Sequence, residues 1–489
     1  MWPKGPELLV LLALAVVIAL VLALTKPIVG LAVMLGVLVL AAAFLSTPAS
    51  LYLLVFSMLL GPEFVAGGLA GGATIGRGVT LRLDDLLLVV IGFVWLAKVA
   101  IHKEQAPFLR TPLNRAIMLY IAAAVLATLI GMLMGRVKPM TGFFFLLKYY
   151  EYAFLYFMVI NAVTDQKQAR GLIIASLVVC FLVSLYAIAQ IPSGDRASAP
   201  FEGKEGEPNT LGGYLVFMLA IVTGLLLTPK AVPNRLPLWV LMGVGGVGLL
   251  ATLSRVSFLA AVAVVLAIVV FTNYRKPLVL VMILIGLLSA PWWAPQAVKD
   301  RIMYTFTQPS EEGQVKLGGV KLDTSTSDRI RSWQRGLELW KQSPVWGTGV
   351  TGGPFLDAMY PRVLIETGSL GMVAFVYLLW AIFRVGRTAY QHAQDPFTKG
   401  VALGFLLGFV GLVIHAIGAN TFLIVRIMEP FWLFAALVVG NLMRAQSNQP
   451  AEIKVESPTA LKGVPRARGM KVAGKPTVSR PGVVRLRRP

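Results

Sequence analysis

Apolar stretches long enough to cross a bilayer recur along almost the whole chain, and this constrains the fold more than any other feature. There are fourteen, at 7–25, 28–45, 48–61, 85–101, 113–133, 142–163, 171–190, 211–228, 236–253, 256–272, 277–293, 362–383, 400–419 and 424–443. A transmembrane helix needs about 20 predominantly apolar residues, and a chain spanning lipid must satisfy its backbone polar groups internally. The expected fold is therefore all-α: a polytopic transmembrane helical bundle. Three stretches are short or tightly joined, which gives about 12–14 spans. Hydrophobic residues make up 57% of the chain and charged residues 14%, against about 25% charged in soluble domains. A soluble globular enzyme, a disulfide-rich secreted domain and a disordered protein are excluded. The single cysteine, Cys180, allows neither an intrachain disulfide nor a cysteine metal cluster. Met1–Lys4 and the apolar run behind them have the outline of a signal peptide, but no small-residue cleavage site follows and further spans come at once. An uncleaved first helix is expected.

Orientation follows from Lys and Arg in the short loops. One set holds Lys98, Lys103, Arg110 and Arg115, then Lys167 and Arg170, Lys230 and Arg235, Arg275 and Lys276, and Arg384, Arg387 and Lys399. The opposite set holds only Lys26, Arg77, Arg82, Arg136 and Lys138. Both termini are thus expected in the cytoplasm and segment 294–361 outside. The net charge of +21 suits cytoplasmic loops rather than nucleic acid. No folded basic module is visible, and the basic tail lacks aromatics to stack on bases.

Segment 294–361 is the only sizeable hydrophilic insertion. Residues 325–343 read as a helix capped by Ser327 or Asp328, with Ile330, Trp333, Leu337 and Trp340 forming an amphipathic face suited to a membrane interface. Pro344 ends it, and Gly347 and Gly349 begin a tight turn. The plain alternative is a helix that caps the bundle. Residues 61–80 form a Gly-rich loop without the GxxxxGK[ST] phosphate pattern. The tail is rich in Pro, Gly and Arg and is expected to be disordered along anionic lipid headgroups. The chain divides into N-terminal spans 1–204, a region 205–443 that includes the external segment, and a basic cytoplasmic tail 444–489.

Ionisable groups in or beside spans are costly and so point to function. Lys148 and Glu151, three apart, lie on one helical face and can pair. Arg255 sits between two closely spaced spans. Arg426 and Glu429 open the last span, with Asn420 just outside it, and Arg362 and Glu366 head the span after the external segment. Apart from the first pair, all fall at the external face. With Arg329, Arg331 and Arg335 they frame one candidate site, against the alternative of ordinary snorkelling at helix ends. The histidines are His102, His392 and His415. Their spacing gives no zinc pattern and no HExxH, and no GxSxG elbow occurs. His415 lies in a span, either as a base near the external face or as a hydrogen-bonded interior histidine.

Four segments carry a resemblance. They are EGEPNTLGGYLVFMLA at 205–220, LSRVSFLA at 253–260, DRIRSWQRGLELWKQSPVWGTGV at 328–350 and DAMYPRVLIETGSLGMVAF at 357–375. In this order, around a long external loop before the last spans, they resemble the bacterial O-antigen ligase and Wzy-type O-antigen polymerase superfamily, integral-membrane glycosyltransferases acting on polyprenyl-diphosphate-linked glycans. Within LSRVSFLA the arginine follows the first serine directly and Ser257 stands where a small residue is expected. Ligases of this superfamily keep a histidine near the fourth segment. Here Asp357 occupies that place and 294–361 holds no histidine, which favours a polysaccharide polymerase over a ligase.

The resemblance implies transfer of a glycan from undecaprenyl diphosphate to an acceptor glycan at the outer face of the bacterial inner membrane, for O-antigen, capsule or exopolysaccharide, alongside other envelope polysaccharide assembly proteins. Its implied site has Arg255, Arg329, Arg331, Arg335 and Arg426 on the substrate, Asp357 and Glu366 as catalytic carboxylates, and Trp333, Asn209, Tyr360 and His415 around them. Arginine grips phosphate bidentately and stays charged, so the expected enzyme uses no metal and no cofactor. The alternative is a transporter or flippase of lipid-linked glycans or another solute. Against it stand the long external segment and the lack of paired inverted halves.

Overall fold

The computed structural model describes residues 47–65, 80–101, 109–202, 206–272, 281, 285–286, 288–289, 292, 294–309, 314–317 and 320–447. The expected spans 7–25 and 28–45, most of 277–293, and the tail beyond 447 lie outside the described residues. The helices are α1 (Thr47–Leu60), α2 (Leu83–Ile101), α3 (Asn114–Leu133), α4 (Pro139–Ala162), α5 (Gln166–Ala189), α6 (Pro208–Leu227), α7 (Leu236–Ala251), α8 (Arg255–Phe271), α9 (Gln296–Thr307), α10 (Thr324–Trp340), α11 (Met359–His392), α12 (Pro396–His415) and α13 (Val425–Ser447). Eleven of the fourteen expected spans have a helix among them. Seven of these, α3 to α6 and α11 to α13, are long and apolar enough to cross a membrane. The protein is a polytopic helical bundle. Two short antiparallel hairpins accompany it: β1 (Glu63–Val65) with β2 (Thr80–Arg82), and β3 (Lys316–Leu317) with β4 (Val320–Lys321). The first pairs the two ends of the Gly-rich loop, whose middle, 66–79, lies outside the described residues.

In lipid there is no hydrophobic drive to bring helices together, so close contact depends on small residues. The α6–α12 pair shows this. Gly400, Gly404, Gly408 and Gly411 repeat along α12. A Cβ at Gly404 would come within 2.5 Å of Ile221 Cα, and one at Gly224 within 2.3 Å of Gly400 O. Around this pair, Phe217 meets Phe405, Phe431 and Phe434 edge-on. On the other side α11 packs on α3, and α13 on α4. Spans from before and after residue 205 therefore share one core.

α11 is broken. Gly368 has φ +64° and ψ −168°, so a short half-helix precedes the long one. The freed carbonyls find donors in the turn after α10: Thr348 N–H donates to Ile365 O (2.8 Å) and Gly349 N–H to Glu366 O (2.9 Å). The turn needs glycine, since Gly347 and Gly349 have φ of +73° and +87°.

α10 begins earlier than its composition suggests. Asp323, not Ser327 or Asp328, is the N-cap, its Oδ1 accepting from Thr326 N–H at 3.3 Å. Aspartate in extended backbone offers a charged acceptor to the first-turn amides, which makes it the better cap. The packing face also differs from the apolar face. Ser327, Ser332 and Gly336 are buried, while Trp333 and Leu337 stay 37% and 48% exposed. The small residues make the closest packing of the helix, and the apolar side is only partly covered.

Candidate functional site

The ends of α6, α8, α11, α12 and the start of α10 meet at one face of the bundle. At its centre is a buried polar chain. Asn209 Oδ1 accepts from Ser254 Oγ (2.7 Å). Ser257 Oγ donates to Ser254 Oγ (2.8 Å) and lies 3.1 Å from His415 Nε2. His415 Nδ1 lies 2.8 Å from Thr421 Oγ1. Both ring nitrogens are thus occupied and the ring is fully buried, so His415 is a hydrogen-bonded interior histidine that ties α8 to α12. Glycines make room for it: a Cβ at Gly212 would lie 2.2 Å from Ser257 Oγ, and one at Gly213 3.0 Å from His415 Cε1.

Above this chain sit four arginines. Arg255, the first residue of α8, donates to Asp323 Oδ2 and Thr305 Oγ1. Arg329 donates through Nε to Gly418 O (2.7 Å) and through Nη1 to Ser325 Oγ (2.9 Å) and Ser325 O (3.4 Å). All three acceptors are neutral, and Nη2 is left to other partners. Arg196, in the loop before α6, donates through Nε to Thr252 O (3.2 Å). Arg301, on α9, lies over the Tyr304 ring, and its buried Nε has no hydrogen-bond partner among the described residues.

The electrostatics mark these four as a cluster. Burial first, and then the charges of Arg301, Arg255 and Arg329, pull Arg196 down to about 10. Burial, then Arg255, lowers Arg301. Burial lowers Arg329 as well, against the opposing field of Asp357, its foremost anionic neighbour. Burial alone would raise Asp323, but hydrogen bonds from Arg255 and Thr326 hold it below the usual carboxylate range. Like charges held together in a partly dry site favour an anion between them.

Other expected members join this group. Asp357 N–H donates to Ser332 Oγ on α10 (3.2 Å). Trp333 Nε1–H donates to Ile417 O (3.2 Å), beside the carbonyl that Arg329 grips. Its ring stands 6.2 Å from Tyr360, whose hydroxyl donates to Val413 O (2.6 Å). Arg329 and Trp333 do share one face of α10.

The remaining residues are elsewhere. Arg331 is solvent-facing, 3.9 Å from Asp328, and Arg335 is exposed. Glu366 pairs with Arg362 at 3.1 Å and faces the Tyr149 hydroxyl at 3.4 Å, forming a second polar group between α4 and α11. Arg426 is buried against Glu202 (3.7 Å) and Leu59 O (2.7 Å). Lys148 pairs with Glu151 at 2.9 Å as the spacing suggests, and also with Asp85 at 2.6 Å. His392 lines a cavity of about 370 Å³ at the opposite end of the bundle, with Asp395 and Arg444.

Arg196 and Arg301 were not visible from motifs. Arg196 lies in an irregular loop and Arg301 on a short helix, both outside the four segments that carry the resemblance. The available signal was basic residues beside spans on the face otherwise poor in them.

The fold and this face define a polytopic membrane protein with a basic cluster at one membrane boundary. A family model described as O-Antigen ligase matches residues 238–376. That stretch carries Arg255, Arg301, Arg329, Asp357 and Glu366 and runs from α7 into α11. No curated protein matches the chain.

Proposed function

We propose that this chain transfers or polymerises polyprenyl-diphosphate-linked glycans at the outer face of the bacterial cytoplasmic membrane, and that polymerisation is the better description than ligation. The observation that carries this reading is the convergence of Arg196, Arg255, Arg301 and Arg329 beside Asp357 at one face of the bundle, mostly within the matched stretch. In the reaction, the acceptor hydroxyl oxygen bonds to the anomeric carbon while the bond from that carbon to the diphosphate oxygen breaks. The diphosphate leaves with the bonding electrons, and its growing charge is met by fixed guanidinium groups. Arg329 offers its Nη2 edge, and Arg301 a guanidinium whose Nε has no hydrogen-bond partner among the described residues. The hydroxyl proton passes to the carboxylate of Asp357, whose charge is the foremost anionic influence on Arg329. Arg255, engaged by Asp323, contributes charge and holds the start of α10. His415 and the serines below shape the floor.

Purified protein incubated with a lipid-linked repeat unit from its own gene neighbourhood tests this reading. A ladder of products supports a polymerase, and transfer to a lipid A core a ligase. Loss of substrate from one leaflet without new bonds would overturn both in favour of a carrier. The orientation has its own check: cysteines engineered at the exposed Lys316 and Lys321 should react with an impermeant reagent from outside, and those at 229–235 should not. Cys180 is buried and gives no background.

A further inference from the structure

Away from the arginine cluster, α2 and α13 bring together three carboxylates that the transfer chemistry does not use. Asp84 and Asp85 open α2, and Glu429 lies in the first turns of α13. One oxygen from each lies within 4.8 Å of the others. Asp84 and Glu429 are fully buried, both at 0% exposure, and the Asp85 side chain is 12% exposed. Neither oxygen of Glu429, and neither of Asp84, has a hydrogen-bond partner among the described residues.

The surrounding charges do not balance. Arg82 Nη2 lies 3.0 Å from Asp84 Oδ2 and donates to Met58 O. Lys148 bridges Asp85 and Glu151. Among the described residues, the four carboxylates Asp84, Asp85, Glu151 and Glu429 therefore face two cations, and Glu429 has no ion pair of its own. Isolated ionised carboxylates in a bundle interior are costly and require a counter-charge.

The geometry points to a divalent, oxygen-coordinated cation of the Mg²⁺ or Ca²⁺ class, held by Asp84, Asp85 and Glu429. Oxygens on opposite sides of a Ca²⁺ ion with bonds of about 2.4 Å stand about 4.8 Å apart, and those around Mg²⁺ somewhat closer. The observed spread lets one ion reach all three. The donor set is all carboxylate, with no imidazole or thiolate, which suits a hard cation. Two positive charges match the surplus of two negative ones. The ion would join the start of α13 to the corner between α1 and α2. There Arg82 and Arg426 already grip the last carbonyls of α1, Met58 O and Leu59 O. This site is independent of the glycan reading.

Full-length protein, purified in an uncharged detergent and stripped with a chelator, is titrated with Mn²⁺ alone at pH 8, with free ion followed by electron paramagnetic resonance. One saturable Mn²⁺ per chain, displaced by Mg²⁺ or Ca²⁺, is expected, with a rise in unfolding temperature as the site fills. Glu429→Gln should weaken binding at least tenfold and remove the thermal shift. Asp84→Asn serves as the second variant should the first fail to fold. Absence of saturable Mn²⁺ binding to the wild-type protein would overturn the proposal and leave protons as the neutralising charge. Unchanged Mn²⁺ binding in a folded Glu429→Gln or Asp84→Asn protein would overturn it equally.

Discussion

Arg329 offers the sharpest test of the arginine cluster, because its side chain both docks α10 and faces the site. Replacing it by lysine keeps the charge but removes the fork. The Nε bond to Gly418 O (2.7 Å) and the Nη1 bond to Ser325 Oγ (2.9 Å) cannot both be rebuilt by one ammonium at the end of a flexible stem. A charged hydrogen bond of this kind contributes about 1.5–3 kcal/mol, so some loss of α10 docking is expected. The larger effect falls on the reaction. Losing one fixed donor to the leaving diphosphate costs about 2.7–4 kcal/mol, or roughly 10²–10³ in rate. Arg329→Ala should show at least the same loss, with membrane expression near that of wild type. Docking and chemistry are separated by Trp333→Phe. It removes the neighbouring bond to Ile417 O (3.2 Å) without touching any charge, costs about 1 kcal/mol and should leave the rate within about fivefold. The assay is turnover and product length in nanodiscs at saturating lipid-linked donor. A wild-type rate in Arg329→Lys refutes the phosphate-fork reasoning. An equal fall in Trp333→Phe assigns the effect to helix docking instead.

Asp357→Asn should slow transfer by about 10²–10⁴ as expected for a lost general base, while donor binding measured on the same protein persists. Gly404→Val places a side chain where a Cβ alone would lie 2.5 Å from Ile221 Cα; overpacking of about 1–3 kcal/mol or more should appear as a lowered unfolding temperature or lost expression. Burial beside Arg301, Arg255 and Arg329 works against the charge of Arg196, so Arg196→Gln should weaken donor binding, measured by donor titration, without lowering the unfolding temperature.

The helices were readable because lipid allows few alternatives: an apolar run bounded by Pro, Gly or charge becomes a span. Element bounds shifted where local chemistry overrode hydropathy. Asp323 captures the α10 amides four residues ahead of the expected cap, and Gly368 interrupts α11 although its flanks are continuous in composition. Arg255 and Arg329 could be named because each sits in a recurrent motif. Asp323, Arg196 and Arg301 could not, since their meaning comes from loops that fold back onto distant spans. The buried Asp84–Glu429 juxtaposition has no signal in sequence order, since its members lie on helices at opposite ends of the described chain. Arg426 and Glu429 are three apart yet turn to different neighbours, Glu202 and Asp84, so spacing alone was a poor guide there.

The broken start of α11 has a consequence for anyone recombining this protein with its relatives. Ser369 N–H donates to Pro344 O (2.8 Å), and Thr348 and Gly349 donate to Ile365 and Glu366 carbonyls. A Cβ at Gly368 would lie 2.2 Å from Val345 O. The stretch from Pro344 to Ser369 is therefore a single latch of interlocked backbone, with its two halves on what look like separate pieces of sequence. A chimaera cut at the hydropathy boundary, near residue 361, would divide the latch and leave the Pro344, Ile365 and Glu366 carbonyls without their donors. Crossovers placed before Pro344 and after Ser369 carry it intact, and exchange of external segments is predicted to succeed only with those seams.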